Sequence, residues 1–566
     1  MPASARSTVE RTYMHGAAID GVEEPFDGEE SVISLDSTSW EYHGPSTWLS
    51  ICSVPGSRWV CEQVGNVDFQ NISQSLLSTW TKRIKLRQTV SRSSSEDPDP
   101  ETSRIYIDAF FDHSVPALHG IIHRPIYESQ LRQGMLSTSQ ESSNASWYAL
   151  KNIIWAFGCR WLLSRDKSVP FWMAHKQAWR YFENAMSVHS DLMFTPTTLV
   201  AVQALALMTF FVDGLGGPVL EFMLSSSTMR LAQSKGLHRK PSKLWKLPEI
   251  EVQRRSYLFW AIYCLEKIII GRSGRSSAMD DTEINCEIPS LPLPGCTTSL
   301  EFCRHAIRHA KIASRISKKI GSATVMGSST PDLFNAVQDL DRELRDWHGQ
   351  LPDVVKVIDV HSTRTAKAMD NSFIVNYLDS CYLGSILQLH SCFYYPWTRK
   401  LFPHRSQVTI SASRVPEAAH QCILAIESTR LSADSLSSQS LYLPLLSAIV
   451  VFVAVLQDPT TSTASNHIAV LDVAAGHFAR MELLTESELS FSIVRELAEI
   501  ARDLCKRSSR TQPAPRPVLE SVGIADTCRQ GIHDFHPEAE NEFDNFDFDL
   551  DCWNVFTTDF VQNMFD

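Results

Sequence analysis

The chain has 566 residues, enough for one large or two medium domains plus tails, and its 43% hydrophobic and 20% charged content is that of a soluble globular protein. A formal net charge of −12 argues against a general polyanion binder, although nine of the acids are concentrated between Glu538 and Asp566. Thirteen scattered cysteines, with no CxxC, argue against a disulfide framework and a clustered-thiolate zinc module; they fit reduced thiols in the nucleus or cytosol.

Residues 1–104 read as a disordered, linker-like region with two features inside it. The first 40 residues are acidic, Ser-rich and aperiodic, without the apolar core of a secretory signal. Residues 39–65, "SWEYHGPSTWLSICSVPGSRWVCEQVG", form an aromatic island. Residues 82–92 carry Lys82, Arg83, Lys85, Arg87 and Arg92 without an acid. That cluster suits an import receptor or a phosphate contact as well as it suits a solvated linker.

From 105 to 507 the pattern is helical nearly throughout, which predicts an all-α fold: a large irregular helical domain. Tyr377 with Cys381 and Ile374 with Leu378 recur at helical steps. "DGLGGP", "IPSLPLPG", "IGSATVMGSSTPD" and "QDPTTSTASNH" separate helices. Two long uncharged runs, "TPTTLVAVQALALMTFFV" and "LYLPLLSAIVVFVAVLQ", fall short of a clean span of about 20 apolar residues. Gln203 interrupts one and Pro444 the other, so both are expected as core helices and no membrane span is expected. The last strong helix is predicted over "SELSFSIVRELAEIARDLCKR", acids first and Lys506 and Arg507 last, as the helix dipole favours. Residues 508–537, Pro-rich at their start, form a flexible linker, and 538–566 a separate tail.

Within the helical region several motifs admit a functional and a structural reading. Arg254 and Arg255 precede Phe259 and Trp260; the rings are expected inside and the guanidinium groups outside, with Glu251 paired to Arg255. His123 either meets a metabolite or packs as a hydrogen-bonded core histidine, and Pro125 marks a helix boundary. "KGLHRK" reads as a helix end with Gly236 in a left-handed cap and Lys235, His238, Arg239 and Lys240 near the terminal carbonyls. "MDDTEINCE" is the one segment that invites an enzyme test, since an all-α metal-dependent cyclase or lyase holds magnesium and diphosphate on an Asp-rich motif. Ile284 breaks the carboxylate spacing there, and no HExxH, GxSxG, Walker loop or GxGxxG is present. No catalytic residue, metal ligand or cofactor is therefore assigned to this chain.

Three stretches read together resemble one family: "YIDAFFDHSVPALHGIIHRPIYESQL", "LSSSTMRLAQSKGLHRK" and "EVQRRSYLFWAIYCLEKIIIGRSGRSSAMDDTEINCEIPSLP". Their order and spacing are similar to the middle homology domain of fungal-specific transcription factors, with "SCFYYPWTRKLF" and "AVLQDPTTSTASNHIAVLDVAAGHFARME" resembling later helices, for a total of roughly residues 105–485. Gly274-Arg275-Ser276 stands where the family often has Gly-Arg-Pro, and Glu266 where it often has Asp. The island also resembles the segment after the zinc cluster in cutinase- and fatty-acid-responsive regulators. The family's binuclear zinc cluster is missing: only Cys52 and Cys61 precede Cys159. Either the cluster was lost from the sequence, or the chain works without one, through a zinc-cluster partner.

The resemblance implies a nuclear regulator of a metabolic or secondary-metabolite gene set, a homo- or heterodimer, reaching DNA directly or through a partner. The tail gives that expectation a mechanism. Phe543, Phe546, Leu550, Trp553, Phe556, Phe560 and Met564 follow at gaps of three or four, while Asp544, Asp547, Asp549 and Asp551 lie mostly off that stripe. Unfolded alone, such a segment docks its rings into a hydrophobic groove with a basic rim, as an acidic activation domain does with a coactivator. The alternative is that it folds back on its own body.

Overall fold

Asp99 starts the first long helix of the body. Its carboxylate accepts the backbone N–H groups of Glu101 and Thr102, and Pro100, at the first helical position, has no N–H to satisfy. The computed structural model describes residues 47–65, 69, 71–73, 96–136, 144–214, 218–321, 330–351, 368–399, 404–427, 431–435, 438–487 and 489–511. The basic stretch 82–92 and the whole tail 538–566 lie outside them.

Every regular element among the described residues is a helix, as the periodicity predicts. In chain order they are α1 (Val54–Val64, after a 3-10 turn at Trp48–Cys52), α2 (Pro100–His113), α3 (Val115–Leu118), α4 (Arg124–Leu136), α5 (Ala145–Arg165), α6 (Phe171–Met186), α7 (His189–Phe194), α8 (Leu199–Val212), α9 (Pro218–Ser234), α10 (Glu249–Ser273), α11 (Leu300–Ile320), α12 (Thr330–Gly349), α13 (Ala368–Tyr394), α14 (Pro396–Arg399), α15 (Arg405–Glu427), α16 (Ser438–Gln457), α17 (Ala464–Leu484) and α18 (Ser492–Thr511).

Two apolar clusters fill the interior. The first is built on α5, which packs against α2, α6 and α8, and it continues through α8 and α9 to α10. The second runs from α11, α12 and α13 through α15 and α16 to α17 and α18. Helices α10 and α11 belong to both: Tyr257 and Phe302 face the second cluster, whereas Leu258 to Cys264 and Ala306, Ile307 and Ala310 face the first.

The uncharged runs are core helices. Gln439–Gln457 is long and apolar enough to cross a membrane, but 83% of its most apolar stretch is buried inside the protein. Pro444 within α16 has no N–H for the carbonyl four residues earlier, at Ser440. That carbonyl is taken instead by His477 Nε2 from α17, at 2.8 Å.

Three sequence expectations are corrected. The aromatic island is not a free linker: Leu49, Ile51, Val60 and Val64 are buried in the second cluster, Trp397 Nε1 donates to Ser50 Oγ (3.2 Å), and Arg507 Nη1 donates to the Val64 carbonyl (3.0 Å). Arg507 thus closes the end of α1 while its Nε reaches the Asp503 carbonyl of its own helix (3.4 Å). The first long helix begins at Pro100 rather than after 105, because "EDPDPETSR" supplies a cap and a helix start. The last helix begins at Ser492 rather than with the acids before it, since Glu486 and Ser487 take left-handed backbone (φ 50° and 66°) that ends α17.

Helices α2 and α5 cross closely because Gly158 has no side chain. A Cβ there would stand 2.0 Å from the Tyr106 carbonyl oxygen, and 2.5 and 2.6 Å from two more backbone atoms. Gly158→Ala is therefore expected to destabilise the chain by about 1–3 kcal/mol despite alanine's better helix propensity, read as a lower urea midpoint.

Candidate functional site

Helix α10 is the chemical centre of the molecule. Glu249 and Glu251 sit in its first turn, and Gly274, at φ 66°, ends it by donating to the Ile270 carbonyl (2.9 Å). Every residue from Arg255 to Lys267 is buried, so the helix has no solvated face on which to leave its charges.

Glu266 and Lys267 resolve that conflict together. Their side chains are 1% and 0% exposed and stand 3.1 Å apart. The segment after the helix supplies the remaining partners. Glu266 Oε1 accepts Ser277 Oγ (2.8 Å) and the Ala278 N–H (2.7 Å). Lys267 Nζ donates to Ser277 Oγ (2.7 Å) and the Met279 carbonyl (3.3 Å), and lies 4.6 Å from the centre of the Tyr263 ring. Asp281 completes the ring, accepting Tyr263 OH (2.8 Å) and Ser314 Oγ (2.6 Å), with Lys267 and Lys318 at 3.7 and 3.4 Å. Burial pushes the Asp281 pKa up, but the Ser314 hydrogen bond, the Lys267 charge, the Tyr263 hydrogen bond and the Lys318 charge outweigh it and hold the carboxyl below its usual range.

The acids of "MDDTEINCE" all face cations or hydroxyls of the fold. Asp280 caps its own 3-10 turn and meets Lys318 (3.3 Å), Asp281 is half-buried between Lys267 and Lys318, and Glu283 pairs with Arg239. The acids are spent on cations of the fold, and among the described residues no group of three His, Cys, Asp or Glu side chains has metal-binding geometry.

A second buried cluster ties the far end of α10 to the turn between α8 and α9. Arg272 Nη1 donates to Asp213 (2.6 Å) and Nη2 to Glu221, whose other oxygen accepts the Gly214 N–H (2.9 Å). One buried cation faces two carboxylates, which leaves a surplus negative charge. Burial, the largest influence, pushes the Glu221 carboxyl up to about 7 against the pull of Arg272.

The third cluster has the composition of a hydrolase triad without its access. His390 Nδ1 lies 3.1 Å from Ser411 Oγ and Nε2 lies 3.5 Å from Asp341 Oδ1. Ser411 is fully buried, His390 nearly so, and Gln407 Nε2 bonds both (3.2 Å each). A nucleophile needs a face open to substrate. This serine instead joins α13 to α15, while Arg414 pairs with Asp341.

The structure separates the remaining sequence candidates. Arg255 is buried, donating to the Lys235 carbonyl at the end of α9 (2.7 Å), and Glu251 pairs with Arg254 (2.8 Å) instead. One helical step places Arg255 under α9, which the exposed-arginine expectation missed. Gly236 does take the left-handed cap, at φ 67°. Arg239 and Lys240, expected at the terminal carbonyls, cross to Glu283 and Glu287. His123 is buried, its Nδ1 3.4 Å from the Ile126 N–H, and burial lowers its pKa. Arg124, the residue before the boundary Pro125, gathers Asp108, Asp112 and Glu128. The activation-tail and basic-stretch candidates are outside the described residues.

Comparison with known proteins agrees with this placement. Residues 107–300 match the model of the fungal specific transcription factor domain, an interval that contains α10, its loop and nearly all of the first three quoted stretches. The later helices lie beyond it. The chain is 26% identical to an ABC-transporter-regulating transcription factor of Aspergillus fumigatus over 90% of its length and 59% of that protein's. It is 26% identical to a protein of the same description from Aspergillus oryzae, covering 82% of this chain and 54% of the relative. It is also similar to the fusaridione A cluster transcription factor of Fusarium heterosporum, 26% identical over 36% of this chain and 40% of that one. The chain thus spans little more than half the length of the first two relatives.

Two outcomes are expected from the buried clusters. Lys267→Met leaves Glu266 buried and unpaired and is expected to cost about 3–5 kcal/mol in urea unfolding, part of it recovered by adding Glu266→Gln. Because the folded pKa of Glu221 is raised, the stability it contributes is complete below its unfolded pKa and is lost as pH rises through about 7. Wild-type protein is expected to lose about 2 kcal/mol more than Glu221→Gln between pH 5.5 and 8, measured by urea unfolding at each pH.

Proposed function

We propose, from the match of residues 107–300 to the fungal specific transcription factor domain, that the chain is a nuclear transcription regulator in which residues 105–507 form a helical regulatory body and residues 538–566 recruit a coactivator. The domain match is the observation that carries this reading. The pairing of Asp280, Asp281, Glu283 and Glu287 with lysines and arginines of the fold and the burial of Ser411 support reading the body as a regulatory one. Lys82, Arg83, Lys85, Arg87 and Arg92 would then serve nuclear import or touch phosphates. DNA is reached directly or through a zinc-cluster partner, in a homo- or heterodimer.

The regulated set is metabolic or secondary-metabolite genes, and transporter genes are the first to examine, since two of the relatives aligned over most of this chain are named for regulating ABC transporters. The relative named for the fusaridione A cluster supports the secondary-metabolite branch.

In the tail, Phe543, Phe546, Leu550, Trp553, Phe556, Phe560 and Met564 form the docking stripe and the interleaved acids keep it hydrated until a partner is met. Fused to a foreign DNA-binding module, residues 538–566 are expected to activate a reporter, and Trp553→Ala with Phe556→Ala to cut that output by at least about fivefold, as loss of central aromatic anchors does. Output equal to the unaltered tail removes the docking stripe from the model.

A further inference from the structure

We propose that the turn Ser242–Lys246 is an intramolecular docking surface for the acidic-aromatic segment 538–566 of the same chain. The inference rests on the reading of that segment as a docking strip and names the site on the body that would hold it.

The turn presents two apolar side chains to solvent on a fixed backbone. Leu244 is 89% exposed and Trp245 52% exposed. Ser242 Oγ accepts the Leu244 N–H (3.2 Å), the Trp245 N–H reaches the Ser242 carbonyl (3.0 Å), and the Lys246 N–H reaches Lys243 (3.2 Å). Lys246 is held in left-handed backbone at φ 48°, a conformation a non-glycine residue adopts at some cost. One side of the Trp245 indole rests near Gly236 and the Arg255 guanidinium, 5.7 Å from the ring centre. Burying half the ring anchors it and leaves the other half offered.

Charge identifies the occupant. From Lys235 to Lys246 there is no acid. Arg239 and Lys240 are engaged by Glu283 and Glu287, whereas no ion pair holds Lys243 or Lys246 among the described residues. An apolar pair flanked by two uncommitted lysines fits a helix whose rings are interleaved with carboxylates. The chain supplies one: Phe543, Phe546, Leu550 and Trp553 on one stripe, Asp544, Asp547, Asp549 and Asp551 beside it. The described residues end at Thr511, and the chain from there to Glu538 has a fully extended reach of about 90 Å. Connection through one chain raises the local concentration of the tail to roughly millimolar, so a weak contact suffices. While docked, the rings are withheld from a coactivator.

The test uses the full chain. Hydrogen exchange across 538–566 is measured in wild type, in Leu244→Asp with Trp245→Ser, in Lys243→Glu with Lys246→Glu, and in Leu483→Asp, which alters an exposed leucine elsewhere. Wild type is expected to protect residues 543–556 and both double variants to raise exchange there by at least about fivefold, with Leu483→Asp unchanged. Should the apolar double variant fail to fold, the lysine pair decides. The same variants, fused to a foreign DNA-binding module, are expected to activate a reporter more strongly than wild type. Wild-type exchange at the rate of the free 538–566 peptide, or equal protection in all variants, overturns the proposal. So does a change of sedimentation coefficient in the double variants without deprotection of the tail, which would assign the surface to a second copy. A tail that is protected but silent as an isolated fusion sinks the activator reading alone.

Discussion

The Glu266–Lys267 pair lets α10 run through the interior with both its faces covered, and the two apolar clusters meet only because that helix is covered. A bare carboxylate or ammonium there would cost several kcal/mol to desolvate, a large fraction of the net stability of a fold. Together with Asp281, the pair fixes the path of residues 277–281 as the chain leaves α10. That path then places Asp281 against Ser314 and Lys318 of α11, and Glu283 and Glu287 against the basic segment after α9. A glutamate at position 266 reaches the Ala278 N–H directly, so its departure from the aspartate frequent in the resembling family is compatible with the loop.

A common economy runs through the three buried polar clusters. Each uses side chains familiar from catalysis, and each is closed to solvent or fully partnered by the fold. Asp281 is bracketed by cations and hydroxyls; His390 lies between Ser411 and Asp341; Arg272 faces two carboxylates. Polar networks of this kind favour one arrangement of helices over near neighbours in which the same groups would be unpaired. That is a suitable property for a body whose proposed work is to be recognised and to hold a segment in place.

Much of this was legible in the amino-acid pattern. Three- and four-residue periodicity gave the helices, uncharged runs such as Leu199–Val212 gave core positions, and Gly236 gave its cap. What periodicity cannot convey is which neighbour covers a given face. Arg255 looks solvent-facing until α9 ends above it; Arg507 looks like a helix-dipole residue until α1 ends beside it. The start at Asp99-Pro100-Glu101 was readable as a cap and was masked by its resemblance to an acidic linker. The Glu266–Lys267 pair was the least legible feature, because adjacent helix residues point to different sides and only the returning loop brings their partners to both.

The proline inside α16 has a mechanical corollary. Its missing N–H leaves the Ser440 carbonyl to His477, so a hydrogen bond keys α16 to α17 at that point. Sliding one helix past the other by a turn, about 5.4 Å, would strand an acceptor on one side and a ring nitrogen on the other. These two helices should therefore move as one lever, and any rearrangement that travels through this end of the molecule has to pivot at their ends rather than shear between them.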